Sequence, residues 1–179
     1  NVRRAMAHSL DVNDFIENLD GGLGIRTIGH FHPTKTYYNH DLTPKEFDLT
    51  AAKNYLNQSG WSDSDNDDVV DKMIDGKLVP LELDLLITGS QLSTTIALLV
   101  QEGAAQSGIK VNIISKPTPL MRKENFSTYD YDMAALVVGQ DAAPDDPYSR
   151  WHSDNITDGG TNFFGYSSAV SDSLITVIR

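Results

Sequence analysis

Three stretches of this chain carry residue types that can do chemistry, and in each the chemistry is recognition. Residues 137–151 place Asp141, Asp145 and Asp146 beside Val138, Gly139, Gln140 and Trp151. A carboxylate in a loop at the C-terminal end of a strand can hold a cation through a charge-assisted hydrogen bond. Residues 162–166 add Asn162, Phe164, Gly165 and Tyr166. An amide both donates to and accepts from a peptide backbone, and an aromatic ring can wall a side-chain pocket. His30, His32 and His40 form the third group. His30 and His32 would share one side of a strand, and imidazoles are metal ligands. Spacing fixes no carboxylate or further ligand beside them, so no metal site is expected.

Other motifs argue against enzyme chemistry. Asp63-x-Asp65-x-Asp67 begins like a calcium loop, but its sixth position is Asp68 rather than Gly and its twelfth is Ile74 rather than Glu. That excludes an EF-hand. No serine lies in a G-x-S-x-G elbow. His152 is near Asp154, with no nucleophile placed beside them. The chain has no cysteine, which removes thiol nucleophiles, thiolate zinc sites and disulfides together. Neither a catalytic constellation nor a cofactor is expected. Gly159-Gly160 lacks the strand–turn–helix setting of a phosphate cradle and reads as a plain turn.

The elements that must position these residues are legible in outline. The length of 179 residues suits one domain, 1–179, with a single core. No apolar run reaches the ~20 residues that span a bilayer. A net charge of −11 repels phosphate backbones, so no nucleic-acid partner is expected. Residues 2–19 read as helix in two pieces. Val2, Met6 and Leu10 share one face, and Asp11 caps the second piece, which Gly21-Gly22 stops. Asp48 caps a helix facing inward with Ala52, Tyr55 and Leu56 and ending at Gly60. An acidic hairpin-like loop follows over 62–77. The alternation of Val79, Leu81, Leu83 and Leu85 predicts one strand. Ser90 opens a helix ended by Gly108, and residues 109–113 form a second strand. This strand–helix–strand spacing predicts a parallel βαβ unit. Residues 133–138 read as a third strand. A last helix over 170–178 is expected to turn Leu174 and Ile175 inward. The class is α/β, with a small mixed β-sheet flanked by helices. Both ends read as cuts within a longer protein.

The order of motifs resembles a known family. Val2-Arg3-Arg4-Ala5-Met6-Ala7-His8-Ser9-Leu10-Asp11 resembles the "VRqAlayAiD" helix of the peptide/nickel-type extracytoplasmic solute-binding proteins of ABC importers. Residues 48–61, Asp-Leu-Thr-Ala-Ala-Lys-Asn-Tyr-Leu-Asn-Gln-Ser-Gly-Trp, resemble their "D..kAk.lLaeaGw" helix. Asp75-Gly76-Lys77 fits the hairpin that follows, Tyr131-Asp132-Met133 a "yDm" strand entry, and Asp146-Pro147 their "DP". Residues 162–175 resemble "N..gYsn..vD.li". The resemblance implies a type II periplasmic-binding-protein-like lobe, with ligand held between it and a second lobe. It implies a peptide or related small solute as ligand and an ABC permease in the membrane as partner. It further implies a monomer in the periplasm or elsewhere outside the cytoplasm, carried as a lipoprotein. A ligand-sensing domain of a regulatory protein with the same fold is the alternative. The ligand-binding residues it implies are Val138, Gly139, Gln140, Asp141, Trp151, Asn162, Phe164 and Gly165. Relatives place an amine-binding aspartate three residues before the acidic residue of "DP". Here that position is Ala143, and Asp141 stands two residues earlier.

Overall fold

A computed structural model describes residues 1–19, 21–29, 31–137, 139, 146–157 and 159–179. Its first layer is helical. α1 (Val2–His8) and α2 (Val12–Leu19) are the two pieces expected, and the Asp11 carboxylate accepts the Asp14 amide at 3.0 Å at the start of α2. The described residues of 23–46 form neither helix nor strand. They lead into α3 (Leu49–Gln58), capped by Asp48, whose side chain accepts from the Ala51 amide at 2.9 Å. Helices α1 and α3 pack on each other through Ala5, Met6, Ala52 and Leu56, all buried. Small side chains at such a contact let helices approach closely and leave few voids.

Strand content is divided between two small sheets. β1 (Asp71–Ile74) and β2 (Lys77–Pro80) make an antiparallel hairpin over the turn Asp75-Gly76. Both turn residues have positive φ, 49° and 77°, as a two-residue hairpin turn requires. The second sheet is parallel, in the order β4–β3–β5, with β3 (Glu82–Ile87), β4 (Lys110–Ser115) and β5 (Met133–Ala134). α4 (Gln91–Ala105), capped by Ser90, connects β3 to β4 as the βαβ reading expects. One face of β3 sends Leu83, Leu85 and Ile87 into a core with Ala97, Ala104, Ile109 and Val111 beneath α1 and α3. Its other face sends Leu86 to Met121 of α5 (Thr118–Met121) and to Phe126 of the π-turn that follows. The chain closes with α6 (Tyr148–Trp151), a 3-10 turn (Ser153–Asn155) and α7 (Ala169–Ile178).

Three expectations need correction. The alternation over 79–85 is not one strand. Val79 belongs to β2 and Leu83 and Leu85 to β3, because Pro80 has no N–H for a ladder and Leu81 turns to donate to the Val70 carbonyl. The third strand is two residues long, not six, since pairing with β3 stops at Ala134. In α7 only Ile175 is buried; Leu174 is 61% exposed, on a helix that also exposes Val170 and Val177.

Candidate ligand-binding site

The C-terminal ends of β3, β4 and β5 lie on one edge of the parallel sheet, where open α/β sheets receive ligands. The segment leaving β5 runs through Val137, 85% exposed, to Gly139, also exposed. Val138, Gln140 and Asp141 lie outside the described residues. Gly139 is tied to α6, because its carbonyl accepts from Arg150 Nη2 at 3.2 Å. The start of α6 is held by Asp146, whose carboxylate accepts the Tyr148 amide at 2.9 Å.

α6 and the turn over 162–166 meet in an aromatic corner. The Trp151 ring stacks on Phe164 with centroids 5.0 Å apart and planes 10° from parallel, and meets Tyr166 edge-on at 6.0 Å. Phe164 is 58% exposed, so one ring face packs while much of the side chain meets solvent. Asn162 is fully enclosed. Its amide nitrogen donates to the carbonyls of His152 at 3.2 Å and Tyr166 at 2.8 Å, and its Oδ1 accepts the Tyr166 amide at 3.2 Å. The side chain expected to face a ligand therefore spends its donors on the turn that carries Phe164 and Gly165. Gly165 has φ +60°, a conformation open to glycine, and a Cβ there would rest 3.5 Å from the Tyr129 ring.

Two tyrosines that sequence reasoning passed over fasten the same turn. Tyr129 Oη donates to the Asn162 carbonyl at 3.0 Å, and Tyr131 Oη donates to the Phe163 carbonyl. Both lie just before β5, and their phenols reach the same turn. Burial raises the Tyr131 phenol above its usual range, so it stays a donor at neutral pH. Phe163 points inward onto Phe126, with the Arg122 guanidinium 5.2 Å over its ring. Behind α6, Asp172 of α7 accepts from the Ser153 hydroxyl at 2.7 Å and the Ser153 amide at 3.0 Å, and these two bonds hold its carboxyl below the ordinary value. Tyr148 donates to Asp154 at 3.0 Å, a bond that raises its phenol. His152 stacks on Tyr148 at 4.4 Å, and its Nδ1 accepts the Asp154 amide. The pair His152 and Asp154 thus has a local turn-forming role.

The histidine stretch does not converge among the described residues. His32 pairs with Thr34 at 2.8 Å, His40 meets Tyr38 edge-on, and His30 lies outside them. The metal-capable side chains that do cluster are Asp63, Asp65 and Asp71, with ligand atoms within 4.8 Å. Asp71 accepts from the Ser64 amide and hydroxyl, and Asp63 from the amides of Asn66, Asp67 and Asp68. Two of the three carboxylates are thereby used in folding their own loop.

Comparison with known proteins agrees with this architecture. The chain is 30% identical over 178 residues to the oligopeptide-binding protein AppA of Bacillus subtilis, covering 97% of this chain and 32% of that protein. It superposes on the structure of AppA in complex with a nonapeptide with a TM-score of 0.83, at 27% identity, covering 98% of this chain and 34% of that one. The oligopeptide-binding protein of Thermus thermophilus, complexed with a pentapeptide, shares the fold with a TM-score of 0.86 at 19% identity, over 98% of this chain and 32% of that one. The nickel-binding periplasmic protein of Escherichia coli is 28% identical over 115 residues, which is 64% of this chain and 21% of that protein. The chain thus spans about a third or less of the length of the relatives it matches. The family described as bacterial extracellular solute-binding proteins, family 5 middle, matches residues 1–159. With its parallel sheet, its helical cover and its ordered motifs, the chain belongs to that family of extracellular solute-binding proteins.

Proposed function

We propose that this chain is one lobe of a two-lobed solute-binding protein that captures a short peptide and delivers it to an ABC permease in the membrane. The observation that carries the reading is the 30% identity to AppA across 97% of the chain. The working protein is a monomer outside the cytoplasm, anchored as a lipoprotein. Ligand favours a closed arrangement of the two lobes by its differential affinity for it. On this lobe the contact residues are Val138, Gly139, Gln140 and Asp141, together with Trp151, Phe164 and Gly165. Asn162 acts from behind, fixing the turn that presents Phe164 to a ligand side chain. Asp141 supplies the carboxylate for a ligand ammonium.

Calorimetric titration of the intact protein with three- to five-residue peptides tests the reading, with nickel–histidine as the competing ligand class. Saturable peptide binding is expected. Phe164→Ala should weaken it several-fold while lowering stability by no more than about 1.5 kcal/mol, the scale of the one aromatic stack it makes with Trp151. Binding of nickel–histidine and of no peptide would overturn the peptide assignment.

A further inference from the structure

A cavity of about 510 Å³ opens on the flank of the molecule, between the α1–α2 junction, α4 and the end of the crossing segment. Leu10, Phe15, Phe47, Ile96, Leu99 and Val100 give it an apolar wall. Its floor is backbone. α4 approaches the α1–α2 junction so closely at Gly103 that a Cβ there would sit 2.3 Å from the Ser9 carbonyl oxygen. The volume falls within the usual range for small-molecule sites. The rim carries Asp11, Asp14 and Glu102, and no basic side chain lines the cavity among the described residues.

These charges are differently engaged. Asp11 accepts the Asp14 amide at the start of α2, and Asp14 accepts the Asn18 side chain at 2.6 Å. Glu102 is exposed, and its carboxylate has no hydrogen bond or ion pair among the described residues. The basic group of the adjoining hollow, Arg26, is spent on Asn13, the Lys45 carbonyl and Glu46. Apolar walls under an anionic rim are complementary to one class of small molecule: an apolar body bearing an ammonium group. The body leaves water against Phe15 and Ile96, and the cation stays at the solvated rim. We propose that this cavity is a separate binding site for a small amphiphilic cation.

The test uses the intact protein with labelled Ile, Leu and Val methyl groups. The probe is 2-phenylethylammonium, and 3-phenylpropionate supplies the same apolar body with the opposite charge. The cation should shift the methyl signals of Ile96, Leu99 and Val100 saturably, and the anion should not. Affinity should fall several-fold as salt rises from 20 to 200 mM, roughly as the screening length shortens. Glu102→Gln combined with Asp11→Asn should weaken binding by roughly threefold or more, as loss of exposed ion pairing does. Asn at position 11 still caps α2, so the variant keeps its fold. Equal response to both probes would overturn the charge argument. Response to neither, as when the rest of the protein covers the cavity, would overturn the site.

Discussion

The claim that Asn162 positions the site rather than touching the ligand can be tested by removing its amide. Asn162→Ala takes away three hydrogen bonds, to the carbonyls of His152 and Tyr166 and from the Tyr166 amide. At ~1 kcal/mol net for each, the loss is about 3 kcal/mol. If this lobe melts as its own unit within the intact protein, ~1 kcal/mol moves its midpoint by about 2–4 °C, so a fall of roughly 6–12 °C in that transition follows. Asn162→Asp keeps the shape but exchanges the donor for an oxygen facing two carbonyls in an enclosed place. It should cost at least as much, because a buried charge without a partner is worse than a missing bond. Thermal melts and urea titrations of the intact protein read the effect, with peptide affinity measured at a temperature where both variants are folded. A stability loss below ~1 kcal/mol would refute the network. Abolished affinity at unchanged stability would make the amide a ligand contact instead.

Three further outcomes follow. Gly103→Ala should lower the midpoint, since overpacking against the Ser9 carbonyl costs about 1–3 kcal/mol and exceeds the ~1 kcal/mol gained from helix propensity; an unchanged or raised midpoint would show that α4 does not close on that junction. Asp48→Ala should cost about 1 kcal/mol by removing the α3 cap, and Asp48→Asn or Asp48→Ser should restore most of it in the same urea titration. Asp172 has a depressed folded pKa, so between that value and the ordinary 3.8 the unfolded chain holds more protons and stability rises with pH. Its contribution is complete above about pH 4 and is lost as pH falls through the folded value; Asp172→Asn should flatten that acid limb, and an unchanged limb would remove Asp172 as its source.

Local signals carried much of the fold. Asp48 and Ser90 cap where they stand in the sequence, Gly60 and Gly108 follow helix ends with positive φ, and the βαβ unit pairs in parallel. Such features need only a few neighbouring residues to declare themselves. The errors arose where a long-range partner decides. Apolar alternation ran through Pro80 because periodicity counts side chains and not ladder donors. Leu174 reads as inward by composition, yet α7 touches the rest of the described structure chiefly through Ile175 and through Asp172 to Ser153. The turn at 162–166 was visible as a candidate, but its wiring was not. The groups that fix it come from Tyr129, Tyr131 and His152, 10 to 33 residues away, and four of its bonds run to backbone carbonyls that carry no residue signature.

The central claim is capture by closure between this lobe and another. Small-angle X-ray scattering of the intact protein, with and without a saturating peptide, tests it most directly. A smaller radius of gyration is expected on peptide addition, with the same final value reached in Phe164→Ala at a higher peptide concentration. Saturable peptide binding with no change in radius would contradict it.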